Sequence, residues 1–188
     1  MVRLSLPFGH TERHLGLVRD PGVWMEGPLQ HPFERDPRVI THPDVEGPPL
    51  TDAMVTRADS VLGLSLPSAY LALMRRCNGG YLKDTAVPTS RPTSWAADHV
   101  SMSSILGVPA VGDEGRYGTG SGILCTPYMT REWGLPQRLV LLDGDGHTWT
   151  ALDYRLGAGE PSVAWLDVEA GHELLIASSF EALLNSRR

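Results

Sequence analysis

Lysine is almost absent from this sequence. Lys83 is the only lysine, although the chain has 16 basic and 22 acidic residues and a formal net charge of −6. Nonspecific binding to nucleic acids needs a basic face that neutralises phosphates. The charge balance therefore argues against a nucleic-acid partner and favours a basic protein partner.

Long apolar runs are also absent. Runs such as residues 139–142 and 174–177 are far shorter than the roughly 20 residues that a membrane-spanning helix requires. Residues 1–10 contain one arginine and no apolar signal-peptide segment. We therefore expect a cytoplasmic protein that does not contact a membrane.

Cysteine is scarce as well. Cys77 and Cys125 are the only two, and each lies in an apolar stretch with no second cysteine nearby. Disulfides are rare in a reducing compartment, so we expect two buried thiols.

Proline punctuates the start of the chain. Seven prolines between residues 21 and 49 exclude a long helix there, and only residues 38–41 resemble a short strand. We expect Phe8, Trp24 and Phe33 to fix this segment to the protein surface. The predicted organisation is a proline-rich extension, residues 1–50, followed by one domain, residues 51–188.

Two helices are predicted at the start of the domain. The first covers residues 52–62, with Thr51 as N-cap and Gly63 as the stop. The second follows Pro67 and ends at Asn78 and Gly79, which accept a left-handed conformation. Its apolar face comprises Leu66, Tyr70, Met74 and Cys77.

The clearest local signal is a β-hairpin. The sequence Asp-Gly-Asp-Gly at residues 143–146 accepts positive φ and separates two strand-like segments, residues 138–142 and 148–154. Residues 161–167 predict a third strand, in which Val163 and Trp165 face the same way. These segments predict a twisted antiparallel sheet.

Weaker signals lie between the helices and the hairpin. Val100, Met102 and Ile105 predict one strand and residues 123–126 another. Residues 107–122, which separate them, are glycine-rich and predict an exposed loop. This loop carries Asp113, Glu114, Arg116 and Tyr117.

A helix is predicted at the C-terminus, where Ser178 and Glu181 have capping-box spacing. Its apolar stripe consists of Phe180, Leu183 and Leu184. Helices therefore lie at the ends of the domain and strands in the middle, without βαβ alternation. This order predicts an α+β fold, with a largely antiparallel twisted sheet and helices packed on one face.

Motifs that would bind metals or nucleotides are incomplete. An EF-hand starting at Asp143 would need an oxygen ligand at His147, glycine at Thr148 and glutamate at Tyr154. The glycine-rich stretch 118–122 lacks the third glycine of a dinucleotide loop and the first glycine of a nucleophile elbow. We predict a hairpin turn and a flexible loop instead.

Two other pairs resemble functional sites. His10 and His14 have zinc-ligand spacing but no evident third ligand. Asp153 and Tyr154 are neighbours in a strand and should point to opposite faces, so they cannot readily share a proton. We interpret the histidines as a surface pair in an irregular segment and Asp153 and Tyr154 as structural, and we predict no catalytic residue, metal or cofactor.

Apart from Trp24 in the extension, the tryptophans divide into two groups. Trp149 and Trp165 are predicted core residues, whereas Trp95 and Trp133 lie in loop-like surroundings and are candidates for a binding groove.

An ordered set of short motifs resembles the SUKH superfamily, which includes the SMI/KNR cell wall assembly regulators and many bacterial proteins. The resemblance covers residues 51–184. The motifs are Asp59-Ser-Val-Leu62-Gly63, Leu66-Pro67, Tyr70, Asn78-Gly79-Gly80, Trp133-Gly-Leu-Pro136, residues 139–142, Asp145-Gly146-His147, Trp149, Leu152-Asp153-Tyr154, Pro161-Ser162-Val163 and Ser179-Phe180-Glu181.

The resemblance implies a function in protein binding. Bacterial members are typically immunity proteins that neutralise a cognate toxin, often a nuclease or another toxic enzyme, by forming a tight complex. Fungal relatives act as regulatory scaffolds, and this is the alternative hypothesis. A third hypothesis is an uncharacterised hydrolase, although no nucleophile, base and orienting group assemble from the motifs. The oligomeric state is left open.

Partner contacts vary within such families, so the contact candidates come from exposure and residue type. They are Asp113, Glu114, Arg116 and Tyr117 in the loop, Trp133, and Asp143, Asp145 and His147 at the hairpin turn.

Overall fold

The structure is a computed structural model that describes residues 36–40, 46–110, 112, 122–157 and 159–186. Most of the proline-rich extension lies outside these residues, including Phe8, Trp24 and Phe33. The same holds for His10 and His14, and for the loop candidates Asp113, Glu114, Arg116 and Tyr117.

Four α-helices occur in the described residues. They are α1 (Asp52–Leu62), α2 (Ser68–Arg76), α3 (Thr126–Glu132) and α4 (Phe180–Ser186). Helix α1 confirms its prediction at both ends. The Thr51 hydroxyl accepts a hydrogen bond from the Met54 amide at 3.3 Å, and Gly63 ends the helix with φ of 65°.

Helix α2 is confirmed, but its predicted end is wrong. The helix ends at Arg76, before the predicted end, and the chain leaves it at Cys77 with an extended φ of −155°. Of the two residues predicted to be left-handed, Gly79 has a positive φ and Asn78 does not. The side chain of Asn78 is used elsewhere. Its amide donates to the carbonyls of Pro48 and Val108, both at 2.8 Å, so Asn78 joins three segments that are distant in sequence.

The described strands form three sheets, and all of their pairings are antiparallel. The first two have the orders β1-β2-β5 and β3-β4, and the third is the meander β6-β7-β8-β9. The strands are β1 (Val39–Ile40), β2 (Gly80–Leu82), β3 (Ala86–Pro88), β4 (His99–Ser101), β5 (Ser104–Ile105), β6 (Leu139–Gly144), β7 (Thr148–Asp153), β8 (Ser162–Asp167) and β9 (His172–Ala177). Strand β1 confirms the short strand predicted near residues 38–41.

The meander contains the predicted hairpin, but the turn lies later in the chain than predicted. Pairing of β6 with β7 continues to Gly144 and Trp149, so the turn lies at residues 145–147 rather than 143–146. A bulge between Leu141 and Asp143 shifts the register by one residue. The predicted third strand is confirmed as β8.

Two strand predictions are wrong. Residues 123–125 belong to a 3-10 helix, Gly122–Cys125, and Thr126 begins α3. The Thr126 hydroxyl donates to the Ile123 carbonyl at 2.7 Å, which favours a helical turn at this junction. Residues 100–105 form two short strands, β4 and β5, rather than one.

The predicted cap of α4 is also wrong. Ser179 caps the helix, rather than Ser178, since the Ser179 hydroxyl accepts the Ala182 amide at 3.1 Å. The predicted stripe is confirmed, because Phe180 and Leu183 are buried and Leu184 packs against the core.

Apolar residues cover both faces of the four-stranded sheet. One face, which includes Val163 and Trp165, packs against buried residues of α1, α2 and α4. The other face, which includes Trp149 and Leu166, packs with Leu135 and with Met129 of α3. Both cysteines are buried free thiols, as predicted.

Candidate protein-binding site

Two turns of the meander meet at one end of the four-stranded sheet. The Val168 amide of the β8–β9 turn donates to the His147 carbonyl of the β6–β7 turn at 3.0 Å. The His147 ring Nδ1 lies 2.8 Å from a carboxylate oxygen of Glu169. We call the exposed residues here the loop-end surface, which consists of Trp95, Trp133, Asp145, His147 and Glu169.

Trp133 follows the last residue of α3 and is 40% exposed. Its ring centroid lies 6.2 Å from that of His147 and 6.3 Å from that of buried Trp149. Gly146 permits this approach, because a Cβ atom there would lie 3.1 Å from the Trp133 ring. One side of the indole is therefore supported by the hairpin, and the exposed part can contact a partner.

Asp145 shapes the turn and remains charged. One of its carboxylate oxygens accepts the His147 amide at 2.9 Å and the Thr148 amide at 2.8 Å. Partial burial acts to raise the pKa of Asp145, but the hydrogen bonds from Thr148 and His147 outweigh it and lower the pKa. Asp145 thus contributes negative charge to the loop-end surface at neutral pH.

Asp143 has a different role from Asp145. It accepts hydrogen bonds from the amides of Ser103 and Ser104, at 2.8 and 3.3 Å, and from the Ser104 hydroxyl at 2.5 Å. Its carboxylate therefore fastens the β4–β5 connection to β6. Asp143 adjoins the loop-end surface but is committed to internal bonds.

Trp95 extends the surface on the side of the β8–β9 turn. It lies in the loop between β3 and β4, is 69% exposed, and follows Ser94, whose hydroxyl donates to Asp167. Hydrogen bonds from the Ala170 amide and from Ser94 lower the pKa of Asp167. The loop is thereby attached to the meander, which positions Trp95.

The structure brings together three of the residues that the sequence predicted, Trp133, Asp145 and His147. Trp149 and Trp165 are buried, as predicted. Sequence reasoning missed Glu169. A signal was present, because consecutive hairpins of a meander place alternate turns at the same sheet end, so a carboxylate in the β8–β9 turn should lie near His147.

Asp153 and Tyr154 diverge as predicted. Asp153 is buried and accepts hydrogen bonds from the amide and guanidinium of Arg155. The Tyr154 hydroxyl donates in another direction, to the Ser65 carbonyl at 2.7 Å.

Acidic charge is concentrated in the meander and α4. Residues 139–186 contain eight carboxylates and one arginine, Arg155, a local net charge of −7, whereas the rest of the chain carries +1. The guanidinium of Arg155 is bonded to Asp153 and Glu173. Arg155 is the only lysine or arginine in residues 139–186, and its bonds to Asp153 and Glu173 leave the carboxylates of the loop-end surface without a lysine or arginine partner from this segment.

We compared the sequence with models of known protein families. The model of the SMI1 / KNR4 family (SUKH-1) matches residues 49–186 of the 188-residue chain. The chain belongs to the SUKH-1 family. This confirms the resemblance and the α+β fold. SUKH proteins include immunity proteins and typically bind protein partners.

Two further findings bear on this SUKH-1 protein. A search of curated proteins finds no match to it. None of the helices in the described residues has the length and apolar character needed to cross a bilayer.

Proposed function

We propose that this SUKH-1 protein is a cytoplasmic immunity protein that binds a cognate bacterial toxin tightly and blocks it, without catalysing a reaction or using a cofactor. The observation that carries this proposal is the loop-end surface of a SUKH domain. There, exposed Trp133 lies beside His147 of an acidic turn, and exposed Trp95 lies in a loop attached to Asp167. The toxin would be a basic protein, such as a nuclease.

Each part of the surface has a physical role in such a complex. Tryptophan is enriched among residues that dominate binding energy, because it buries a large rigid area. Carboxylates that face a basic partner accelerate association, whereas buried contacts slow dissociation. The surface thus combines rapid capture with slow release. Trp133, Asp145 and His147, together with Glu169, are the proposed contacts, and Asp143 fastens the adjoining β4–β5 segment to β6.

Coexpression with a candidate toxin, sought among the genes that neighbour this one, tests the proposal. The wild-type protein should restore growth. A double variant, Trp133→Ala with Glu169→Gln, should weaken the complex by at least about 30-fold, the effect of losing a hot-spot side chain. Asp145 stays unchanged in this variant because it shapes the turn.

A matched control lies at the other end of β7. The variant Leu156→Ala with Glu160→Gln also loses one exposed apolar side chain and one charge, since Leu156 is 88% exposed. It should protect cells as well as the wild type does. A toxin that stays lethal in cells that produce the wild-type protein would contradict the proposed function.

A regulatory scaffold is the second candidate. Ile40 and Tyr81, which are cross-strand partners, are 49% and 45% exposed, and Leu175 of β9 is 64% exposed. These apolar side chains lie outside the loop-end surface and offer contacts for additional partners. Affinity purification from the native cell separates the candidates, because a scaffold recovers several housekeeping proteins and an immunity protein recovers one toxin.

A further inference from the structure

A second concave site lies where the end of α1 approaches α3. It has a volume of about 380 Å³, within the range of small ligand sites. We call it the α1–α3 groove. Its lining comes from the end of α1 and the turn after it (Val61, Leu62, Gly63 and Leu64), from α3 (Thr126, Pro127, Thr130 and Arg131), and from Leu139 of β6 with the two residues before it (Gln137 and Arg138).

The groove differs in charge from the loop-end surface. Arg131 and Arg138 both line it, and none of the lining residues, all of which lie in the described part of the chain, carries a carboxylate. Both arginine side chains reach solvent. The two arginines make the groove positive, in contrast to residues 139–186, which carry a local net charge of −7.

The guanidinium of Arg138 is held in place. Its Nε donates to the Tyr154 carbonyl at 3.1 Å, and its Nη2 donates to the Gly157 carbonyl at 3.4 Å. These bonds use two of the five guanidinium N–H groups and leave others available. A group positioned in advance loses less conformational entropy when it binds an anion.

The backbone at Arg138 adds a second observation. Arg138 has φ of 63°, and among the described residues it is the only non-glycine residue with a positive φ. Such a conformation is uncommon for a side chain of this size, and strained residues cluster at functional sites. Arginine therefore occupies a position where glycine would be less strained.

The apolar part of the lining indicates the class of ligand. Val61, which is 48% exposed, lies beside Leu64 and Pro127. A free phosphate or nucleic-acid backbone would leave this apolar area without a partner. A peptide with an acidic residue next to an aliphatic one would use both parts of the lining.

From these observations we infer that the α1–α3 groove binds an acidic segment of a partner protein, with a carboxylate on Arg131 and Arg138 and an aliphatic side chain on Val61, Leu64 and Pro127. This site is separate from the loop-end surface. Arg131 is only two residues before Trp133. However, the groove reaches Leu139 at the start of β6, whereas the loop-end surface includes the turn beyond Gly144, about 16 Å farther along the strand. The inference does not depend on the proposed toxin neutralisation.

The test is an NMR titration of the ¹⁵N-labelled full chain with the peptide acetyl-Leu-Glu-Leu-Glu-amide, to a concentration of several millimolar. Amide signals of Gly63, Leu64 and Thr130 should shift with a saturable dependence on peptide concentration. Arg131→Gln should weaken binding about tenfold, as expected for loss of a charge-assisted hydrogen bond. The spectrum of the variant reports directly whether it is folded.

Three controls make the result decisive. Arg91→Gln, which removes an exposed arginine from the β3–β4 loop, should leave the affinity unchanged. A peptide with glutamine in place of glutamate should bind at least tenfold more weakly. Inorganic phosphate should bind more weakly than the acidic peptide. The inference would be overturned if the groove signals did not shift, or if the glutamine peptide or the Arg131→Gln variant bound as tightly as the original pair. Phosphate binding as tight as peptide binding would overturn it as well.

Discussion

At the scale of single residues, the carboxylates near the β6–β7 turn have different functions although their sequence context is similar. Asp143 and Asp145 are two residues apart. Asp143 binds the amides of Ser103 and Ser104, whereas Asp145 binds the amides of its own turn. Both were predicted as exposed contacts. The long-range role of Asp143 depends on a segment 40 residues earlier in the chain, which no local pattern reveals.

The role of Asp143 leads to a stability prediction. Asp143→Ala removes three hydrogen bonds to a charged acceptor, so the free energy of unfolding should fall by about 2 kcal/mol, measured by urea denaturation. Asp98→Ala is the matched control, because Asp98 is exposed and its side chain contacts neighbouring His99. That variant should change stability by less than about 0.5 kcal/mol. Equal effects of the two variants would contradict an anchoring role for Asp143.

At the scale of elements, local signals predicted helices α1, α2 and α4 and the β6–β7 hairpin, but not helix α3. The ends of α1 depend on Thr51 and Gly63, which act within one helical turn of it. Failures occurred where distant groups decide the conformation. Residues 123–126 have strand-like composition, yet the Thr126 hydroxyl accepts the Leu141 amide and donates to the Ile123 carbonyl, which favours a helical turn against β6.

The loop-end surface was predicted only in part for the same reason. Sequence motifs indicated Trp133, Asp145 and His147, because turn chemistry and a loop-like context mark exposure. The meander order could have indicated Glu169, whereas the attachment of Trp95 through Ser94 and Asp167 depends on how the β3–β4 loop packs against the meander. No local sequence pattern indicates this contact, because Ser94 and Asp167 are 73 residues apart in the chain.

The β6–β7 hairpin itself gives a second prediction. A Cβ atom at Gly144 would lie 2.2 Å from the Trp149 ring, so Gly144→Ala must displace the indole or the strand. Overpacking of this kind costs about 1–3 kcal/mol, which chemical denaturation can measure. Gly159→Ala is the control, since no heavy atom lies within 4 Å of its Cβ position. A Gly144→Ala variant as stable as the control would show that Trp149 is not packed against this strand.

At the scale of the whole molecule, buried ionised carboxylates make stability depend on pH. Hydrogen bonds from Arg38 lower the pKa of buried Asp36 below its ordinary value of 3.8. Burial acts to raise the pKa of Asp153, but Arg155 outweighs it and lowers the pKa. Carboxylates with a lowered pKa stabilise the folded state above the unfolded-state pKa, and this contribution is lost as pH falls through the folded-state pKa.

We therefore expect the free energy of unfolding to fall as pH decreases below about 4, because the unfolded chain takes up protons first. Asp153→Asn should flatten this dependence, since one of the responsible groups no longer titrates. Denaturation midpoints at a series of pH values measure both curves. Parallel curves for the wild type and the variant would mean that Asp153 makes no contribution to acid sensitivity.

The uneven charge distribution leads to a kinetic prediction for the proposed complex. The acidic loop-end surface should attract a basic toxin, and salt screens this attraction. The Debye screening length falls from about 30 Å at 0.01 M to about 3 Å at 1 M ionic strength. The association rate should therefore fall steeply with added salt, and the dissociation rate should change much less. Surface plasmon resonance measures both rates. An association rate independent of salt would rule out electrostatic capture.

The most direct test of the central claim is inhibition of the purified toxin by the purified protein. If the chain is an immunity protein, residual toxin activity should fall linearly as protein is added and reach background at a molar ratio of one to one. The variant Trp133→Ala with Glu169→Gln should require a clear excess to reach the same inhibition. Toxin activity that stays unchanged in a tenfold excess of the wild-type protein would contradict the proposed function.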